Sequence, residues 1–314
     1  MRVVFLGTPE IAVPPLQHLL NYSYDVAAVF TQPDRPSGRG HKLTPSPVKV
    51  FAEREGIQVH QPEKIVQEEN RMMIEDLRPD FLVVAAYGQI LPSWFLKSAR
   101  LAPLNIHFSL LPRYRGAAPV AHSILNGDSV TGVTIMIMEE ALDAGPILTQ
   151  KEVPISNTVT RGELENELSS IGAELLMETM GKYIAGSLQP VLQDARLVTW
   201  APAVTKNNAR IIWGENSLRI HNHIRALNPW PGAYTIFRNE RVRIWSSMPE
   251  TEDVSSGKVP GTFLGISKDG LRVLCGGGSV LAITELQKSS RKRVNGHEFA
   301  NGEHLRPGDP LFQH

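Results

Sequence analysis

Cysteine is nearly absent from this 314-residue sequence: Cys275 stands alone, so no internal disulfide can form and no cysteine-rich zinc module can be built. There is no excess of charge either, since 32 Lys and Arg offset 32 Asp and Glu. That balance excludes a histone-like basic protein, and 42% hydrophobic with 20% charged residues is globular rather than disordered composition. Long apolar runs are missing. None approaches the roughly 20 residues of a membrane span, and Met1-Arg2 leads straight into VVFLG without a secretory signal's longer apolar region. A cytoplasmic chain with no membrane partner is expected. Two nucleotide motifs are absent as well. No GxGxxG follows the first strand candidate and no GxxxxGK[ST] occurs, which removes the main support for NAD-type and P-loop readings.

What is present is an alternating pattern. Up to about residue 150, the apolar runs VVFLG, VAAVFT, DFLVVAAYG, PLNIHFS and VTGVTIMIM alternate with helical segments, which predicts an α/β, Rossmann-like domain with a parallel sheet. Thr8 is placed to cap a helix over 11–20 with Pro9 at its first position. A long helix is predicted over 161–185, and the proline-containing stretch 190–206 reads as a linker. Beyond it come one helix, 217–227, and five short β runs, AYTIF, VRIWS, GTFLGI, LRVLC and SVLAITEL. These predict a small OB-like β-barrel domain. The expected boundaries are therefore 1–189, a linker at 190–206, and 207–314.

The neutral total hides an asymmetry. Residues 1–200 carry 17 basic and 22 acidic residues, net −5, whereas residues 201–314 carry 15 and 10, net +5. A basic second domain suits a polyanionic partner, although chance drift of surface charge explains the same totals. Between Thr31 and Lys49, TQPDRPSGRGHKLTPSPVK is nearly free of apolar residues. A loop this long in a compact domain has a function or is disordered.

The stretch most informative for chemistry is Asn105-Ile106-His107-Phe108-Ser109-Leu110-Leu111-Pro112. Side chains at i and i+2 on a strand share a face, so Asn105, His107 and Ser109 can converge at its carboxyl end, where open α/β sheets place ligands. An amide donor beside an imidazole suits acyl transfer, because the amide can hold a developing oxyanion while the imidazole donates to it or relays a proton. A capped turn would use the same residues. Asp143, in ALDAGPIL after the strand VTGVTIMIM, could orient the imidazole, or could simply serve an Asp-Ala-Gly turn. His221 and His223 do not share a helix face and are expected to be packed or solvated rather than metal ligands. Trp230, between Pro229 and Pro231, is expected to anchor the second domain rather than to serve as a base-stacking platform.

NIHFSLLPRYRGAAP followed by ALDAGPI closely resembles the folate-dependent formyltransferases. FLGTPEIA, the proline-rich basic loop and ALNPWPGAY are similar to the branch of that family that acts on methionyl-tRNA. The resemblance runs from residue 1 to about 285. It implies an enzyme that moves the formyl group of 10-formyltetrahydrofolate to the amino group of initiator methionyl-tRNA, as a monomer and without a metal. Its catalytic set falls on Asn105, His107 and Asp143. Its folate contacts fall on Ser109, Leu110, Leu111 and Pro112, with Tyr87, Gly88, Ile90 and Leu91 lining the pteridine pocket. Contacts to tRNA fall on Arg39 and Lys42 of the loop 34–42 and on Lys206; Lys288 and Arg291, in a short basic run that by itself reads as a solvated face, are shifted by the resemblance toward phosphate contact. Ala141, Ala203 and Ile212 depart from the usual Gly, Lys and Asp of the family. The rival enzymatic reading is a formyltransferase for a sugar amine or other small amine. A catalytically silent RNA-binding module is a third reading, disfavoured because binding alone needs no Asn105, His107 and Asp143 together.

Overall fold

The computed structural model describes residues 1–37, 42–251, 254 and 257–312. The chain divides into two compact units, one of Met1–Pro119, Val130–Pro154 and Glu165–Pro202, the other of Val120–Ser129, Ile155–Leu164 and Ala203–His314.

The first unit is built on β1 (Arg2–Gly7) and β2 (Asp25–Phe30), followed by a small hairpin of β3 (Arg35–Ser37) and β4 (Lys42–Thr44). Then come β5 (Val59–His60), β6 (Phe81–Ala85), β7 (Ala102–His107), β8 (Val130–Ile137) and β9 (Ile147–Pro154). Apart from the hairpin these strands form one seven-stranded sheet in the order β5-β2-β1-β6-β7-β8-β9. The first five strands in that order are parallel, whereas β8 and β9 run antiparallel to their neighbours. The α/β Rossmann-like architecture is thus present, with an antiparallel edge that the apolar runs did not announce. Because β9 is exposed at Lys151 and Glu152, it lacks the continuous apolar run of a strand covered on both faces.

Helices cover the sheet because β1 and β6 are apolar on both faces: Val4 and Leu6 join Leu82 and Val84 in a core with Ile74, Phe95 and Phe30, while Val3 and Phe5 are buried too. The helices of this unit are α1 (Val13–Asn21), α2 (Pro47–Arg54), α3 (Glu68–Leu77) and α4 (Ser93–Leu96); α5 (Pro119–Leu125) belongs from Val120 on to the second unit, and α6 (Arg161–Ile184) belongs from Glu165 on to the first. On α6, Gly172 lets the helix close on the sheet, since an added Cβ would lie 3.0 Å from Ile106 and 3.3 Å from Val133. Thr8 does not cap the first helix. Pairing of Gly7 with Ala85 brings the end of β6 alongside, and the Thr8 hydroxyl donates to the Tyr87 carbonyl at 2.9 Å. A 3-10 turn at Glu10–Ala12 precedes α1 instead.

Residues 190–202, expected as linker, are hydrogen-bonded into the first unit. Val191 exchanges backbone hydrogen bonds with Ile147, and Thr199 and Ala201 pair with the backbone of Arg115 and Ala118. This stretch, with prolines 190 and 202 at its ends and no strand or helix periodicity, is irregular, and its backbone hydrogen-bonding groups serve a loop rather than a ladder.

In the second unit, α7 (Ser217–Ala226) precedes β10 (Tyr234–Phe237), β11 (Glu240–Pro249), β12 (Phe263–Ser267), β13 (Gly270–Leu274) and β14 (Val280–Lys288). A short β15 (Val294–Asn295) and α8 (Gly296–Gly302) complete it. The strands form an antiparallel sheet in the order β10-β11-β14-β13-β12, with β15 on β14. All five strand-like runs of the sequence are found. The anchor is a different tryptophan. Trp230 is 48% exposed, whereas Trp213 is fully buried, stacks on Phe312 and donates from Nε1 to Thr235 Oγ1 at 2.9 Å. A buried indole removed from a packed core costs about 3–5 kcal/mol. Trp213→Ala should therefore shift the urea midpoint strongly, and Trp230→Ala should change stability by less than about 1 kcal/mol. Similar shifts for both would mean that burial does not rank them.

Candidate active site

Strand order reverses between β1 and β6, with β2 on one side and β7 on the other, and open parallel sheets bind ligands beyond the carboxyl ends of strands at such a switch point. A cleft of about 510 Å³ lies there, with Thr8, Gln32, Ser46, Ala86, Tyr87 and Gly88 among its lining residues. This is within the usual size of a small-molecule site, about 300–1,000 Å³. One wall is fixed by Asp34, whose carboxylate accepts from Gln61 at 2.7 Å and pairs with Lys49 at 2.8 Å. The hydrogen bond from Gln61, followed by that from Lys49, holds the Asp34 carboxyl below its ordinary value. Tyr87 is 2% exposed and its hydroxyl has no partner among the described residues. Burial pushes that phenol well above its ordinary value.

Val84 pairs with Asn105, so the strand ends beside the cleft are continuous with the end of β7. There Asn105 and His107 share a face and are 8% and 5% exposed. The His107 ring is pinned: a carbonyl can only accept, so Nε2 carries the proton donated to Tyr114 O at 2.9 Å. Nδ1 then faces Asp143 Oδ1 at 3.8 Å, a contact longer than a hydrogen bond. The other carboxylate oxygen, Oδ2, accepts from Gly116 N at 2.8 Å. Sequence separation left this approach open, and the fold closes it.

Two residues hold the left-handed backbone that this geometry requires, Tyr114 at φ +61° and Asp143 at φ +49°. Such a conformation is strained for a bulky side chain and persists only where neighbours over-determine it. Tyr114 meets that condition. Its N–H donates to Thr199 Oγ1 at 2.9 Å while its carbonyl takes the His107 proton. Asp143 is held from behind by Gln193, whose Nε2 donates to the carbonyls of Asp143 at 2.9 Å and Gly145 at 2.8 Å. Gln193 Oε1 in turn accepts from the Arg115 guanidinium at 3.1 and 2.8 Å. Gly145 cannot be replaced there, because a Cβ would collide with the Ile137 carbonyl.

The segment after β7 is tied down as tightly. Ser109 Oγ donates to Arg113 O at 2.7 Å. Thr134, directly across from His107, donates to Ser109 O at 2.6 Å and accepts from Leu111 N at 3.1 Å and Gln150 Nε2 at 2.9 Å. Leu110 closes over Gly132, and Pro112 follows a cis peptide bond. Of the residues expected around folate, Tyr87 and Gly88 line the cleft, Leu91 lies in the core, and Ile90 is 76% exposed. Arg39 lies outside the described residues, and for Lys42 only the backbone, in β4, is described. Lys206 and Arg291 are exposed in the second unit. Lys288 is not a free cation: it pairs with Glu303 at 2.9 Å and Glu240 at 3.1 Å. His221 bonds Ser247 Oγ and Asn157 O, and burial lowers its pKa. Sequence reasoning missed Tyr114, Arg115, Thr134, Gln193 and Thr199. Thr134 left one trace, a polar side chain within a buried strand; Gln193 left none.

The class follows from comparison with known families. The formyl transferase model matches residues 1–180 and the formyl transferase C-terminal domain model matches residues 203–304, and the chain belongs to this family. Among curated relatives, the methionyl-tRNA formyltransferase of Bacillus velezensis is 44% identical over 310 residues, covering 99% of this chain and 97% of that protein. The methionyl-tRNA formyltransferase of Acetivibrio thermocellus is 42% identical over 313 residues, the full length of both. Among solved structures, WlaRD, a sugar 3N-formyl transferase crystallised with dTDP and 5-N-formyl-tetrahydrofolate, shares the fold at a TM-score of 0.68 and 20% identity, covering 93% of this chain and 99% of that one.

If Gln193 fixes the carboxylate by holding its backbone, Gln193→Ala should lower the rate of formyl transfer on the order of tenfold or more with donor affinity unchanged, since small misplacements of reacting groups are costly. The check is single-turnover kinetics beside a donor-binding titration. An unchanged rate would remove Gln193 from the site.

Proposed function

We propose that this chain transfers the formyl group of 10-formyltetrahydrofolate to the amino group of methionine on initiator tRNA, acting as a cytoplasmic monomer. The observation that carries the chemistry is the pinned pair at one strand end, His107 with its free Nδ1 edge 3.8 Å from Asp143, beside Asn105. Full-length identity of 42–45% to proteins named for methionyl-tRNA supports the acceptor.

The donor supplies an activated formyl carbonyl. The residues proposed to hold it are Ser109, Leu110, Leu111 and Pro112 after β7, with Tyr87, Gly88, Ile90 and Leu91 after β6. The buried, unpartnered Tyr87 hydroxyl and a cleft of about 510 Å³ fit a polar heterocycle of that size. The amine attacks as a neutral nucleophile. Asn105 donates through its amide to the formyl oxygen as negative charge builds there, in a site that excludes most water. His107 Nδ1 takes the proton that the amine loses as the new C–N bond forms, and the Asp143 carboxylate stabilises the resulting imidazolium. That proton is then available to the leaving nitrogen, so the ring returns to its starting state. Arg39 and Lys42 of the loop 34–42, Lys206, and Arg291 of the basic run are proposed to meet the tRNA. Lys288, with its two ion pairs, serves the fold first.

The test uses purified full-length protein, 10-formyltetrahydrofolate, and either charged initiator tRNA or a nucleotide-linked amino sugar. Formyl-methionyl-tRNA as the product is expected; formylation of the amino sugar alone would replace this reading. Removing one preorganised oxyanion donor costs on the order of a hundredfold in turnover. Asn105→Ala should lose about that much with donor affinity nearly unchanged, and wild-type turnover would take Asn105 out of the mechanism.

A further inference from the structure

The chain leaving β7 crosses the antiparallel edge of the sheet, and side chains of that edge hold it. His107 pairs with Thr134 of β8, and Thr134 pairs in turn with Gln150 of β9. Directly opposed residues share a face, so the three side chains form one row across three strands. Gly132, two residues before Thr134, leaves room for the crossing chain, because a Cβ there would strike the Leu110 side chain. Gln150 stands in an exposed stretch of β9 and reaches inward from it.

Every backbone oxygen from Ser109 to Leu111 is taken within the protein. Ser109 O accepts from the Thr134 hydroxyl at 2.6 Å, Leu110 O from Arg113 N at 3.1 Å, and Leu111 O from Gln150 Nε2 at 2.9 Å. Leu111 N donates to Thr134 Oγ1 at 3.1 Å, and Gln150 Nε2 donates to the same oxygen at 2.9 Å. A hydroxyl offers one proton and two lone pairs, and a side-chain amide nitrogen offers two protons. All of them are used here. Thr134 is wholly buried, so its partners have no water to turn to if the hydroxyl is lost. Two side chains thus give residues 109–111 the partners that a neighbouring strand would otherwise provide. The His107 ring draws its own hydrogen bond from elsewhere, at Tyr114 O.

We propose that Thr134 and Gln150 are positioning residues for the formyl donor, holding residues 109–112 in the shape that accepts it. This rests on the reading above that the segment 109–112 holds the donor. The effect is one of preorganisation. A segment that leaves its competent shape binds with an affinity reduced by the fraction of time spent in that shape. Donor binding restores the shape, so the loss falls on KM for the donor and spares kcat.

The test is Thr134→Val in the full-length protein, which removes the hydroxyl, beside Thr134→Ser, which retains one. Gln150→Met, at an exposed position, is the second variant in case the buried change lowers stability. Exchange of the Leu111 amide with solvent is followed by NMR, and affinity for 10-formyltetrahydrofolate by titration. Neither measurement needs an acceptor. Steady-state KM and kcat are then measured for donor and acceptor. In Thr134→Val the Leu111 amide should exchange on the order of tenfold faster, since it has lost its partner. Donor affinity should fall about tenfold if the competent shape drops to roughly a tenth of the population. KM for the donor should rise to match, with kcat and KM for the acceptor within about twofold of wild type. Thr134→Ser should recover most of the loss, and Gln150→Met should weaken donor binding in the same direction. Because both side chains act on Leu111, the double variant should lose less than the product of the single losses. Unchanged donor affinity together with unchanged Leu111 exchange would overturn the positioning role. Faster exchange at unchanged donor affinity would overturn the reading on which it rests, since a loosened segment 109–112 would then not matter to the donor. Losses of equal size in donor KM, acceptor KM and kcat would make the pair a general support of the fold and would also overturn the proposal.

Discussion

The chemistry proposed for His107 requires a ring that does not turn, and one hydrogen bond, from its Nε2 to the carbonyl of Tyr114, holds it. Most of the surrounding structure can be understood as what that bond demands. The carbonyl points at the ring because Tyr114 is left-handed, and Tyr114 stays left-handed because Thr199 takes its N–H. Asp143 faces the second ring nitrogen because Gln193 and Gly116 hold it from two sides. Residues 193–201, an irregular stretch, thus fix the geometry of the proposed site as much as the strand that carries Asn105 and His107 does.

The sheet was legible in the sequence wherever strands are covered on both faces. VVFLG and DFLVVA are continuous apolar runs, and they became the neighbouring strands β1 and β6. Edge strand β9, half exposed, looked like neither helix nor strand, and the antiparallel edge was missed with it. Asn105 and His107 could be placed together from strand alternation alone, whereas Asp143 lies in the connection between β8 and β9, and its approach to His107 depends on the fold. Gln193 and Thr199 were not legible, since they act through backbone carbonyls and N–H groups, which any sequence possesses. Trp230 misled because aromatic residues between prolines suggest packing, while Trp213, with no prolines beside it, fills the core.

Charge tells a similar story at longer range. Counting residues located the positive excess beyond residue 200 and drew attention to the run 288–293. Counting could not tell that Lys288 pairs with two carboxylates, nor that Arg241 and Arg243, in an ordinary strand pattern, meet no carboxylate among the described residues. Pairing across strands decides which cations stay available, and pairing is a property of register.

The account stands most directly on the state of one imidazole. With the Tyr114 carbonyl as its partner, His107 Nε2 must keep its proton throughout, leaving Nδ1 as the nitrogen that gains and loses one beside Asp143. Nitrogen-15 NMR of histidine-labelled protein reads the two ring nitrogens separately. A His107 ring whose Nε2 gives the signal of a protonated nitrogen and whose Nδ1 gives that of a bare one is the expected result. A ring protonated on Nδ1 with a bare Nε2 would contradict the account.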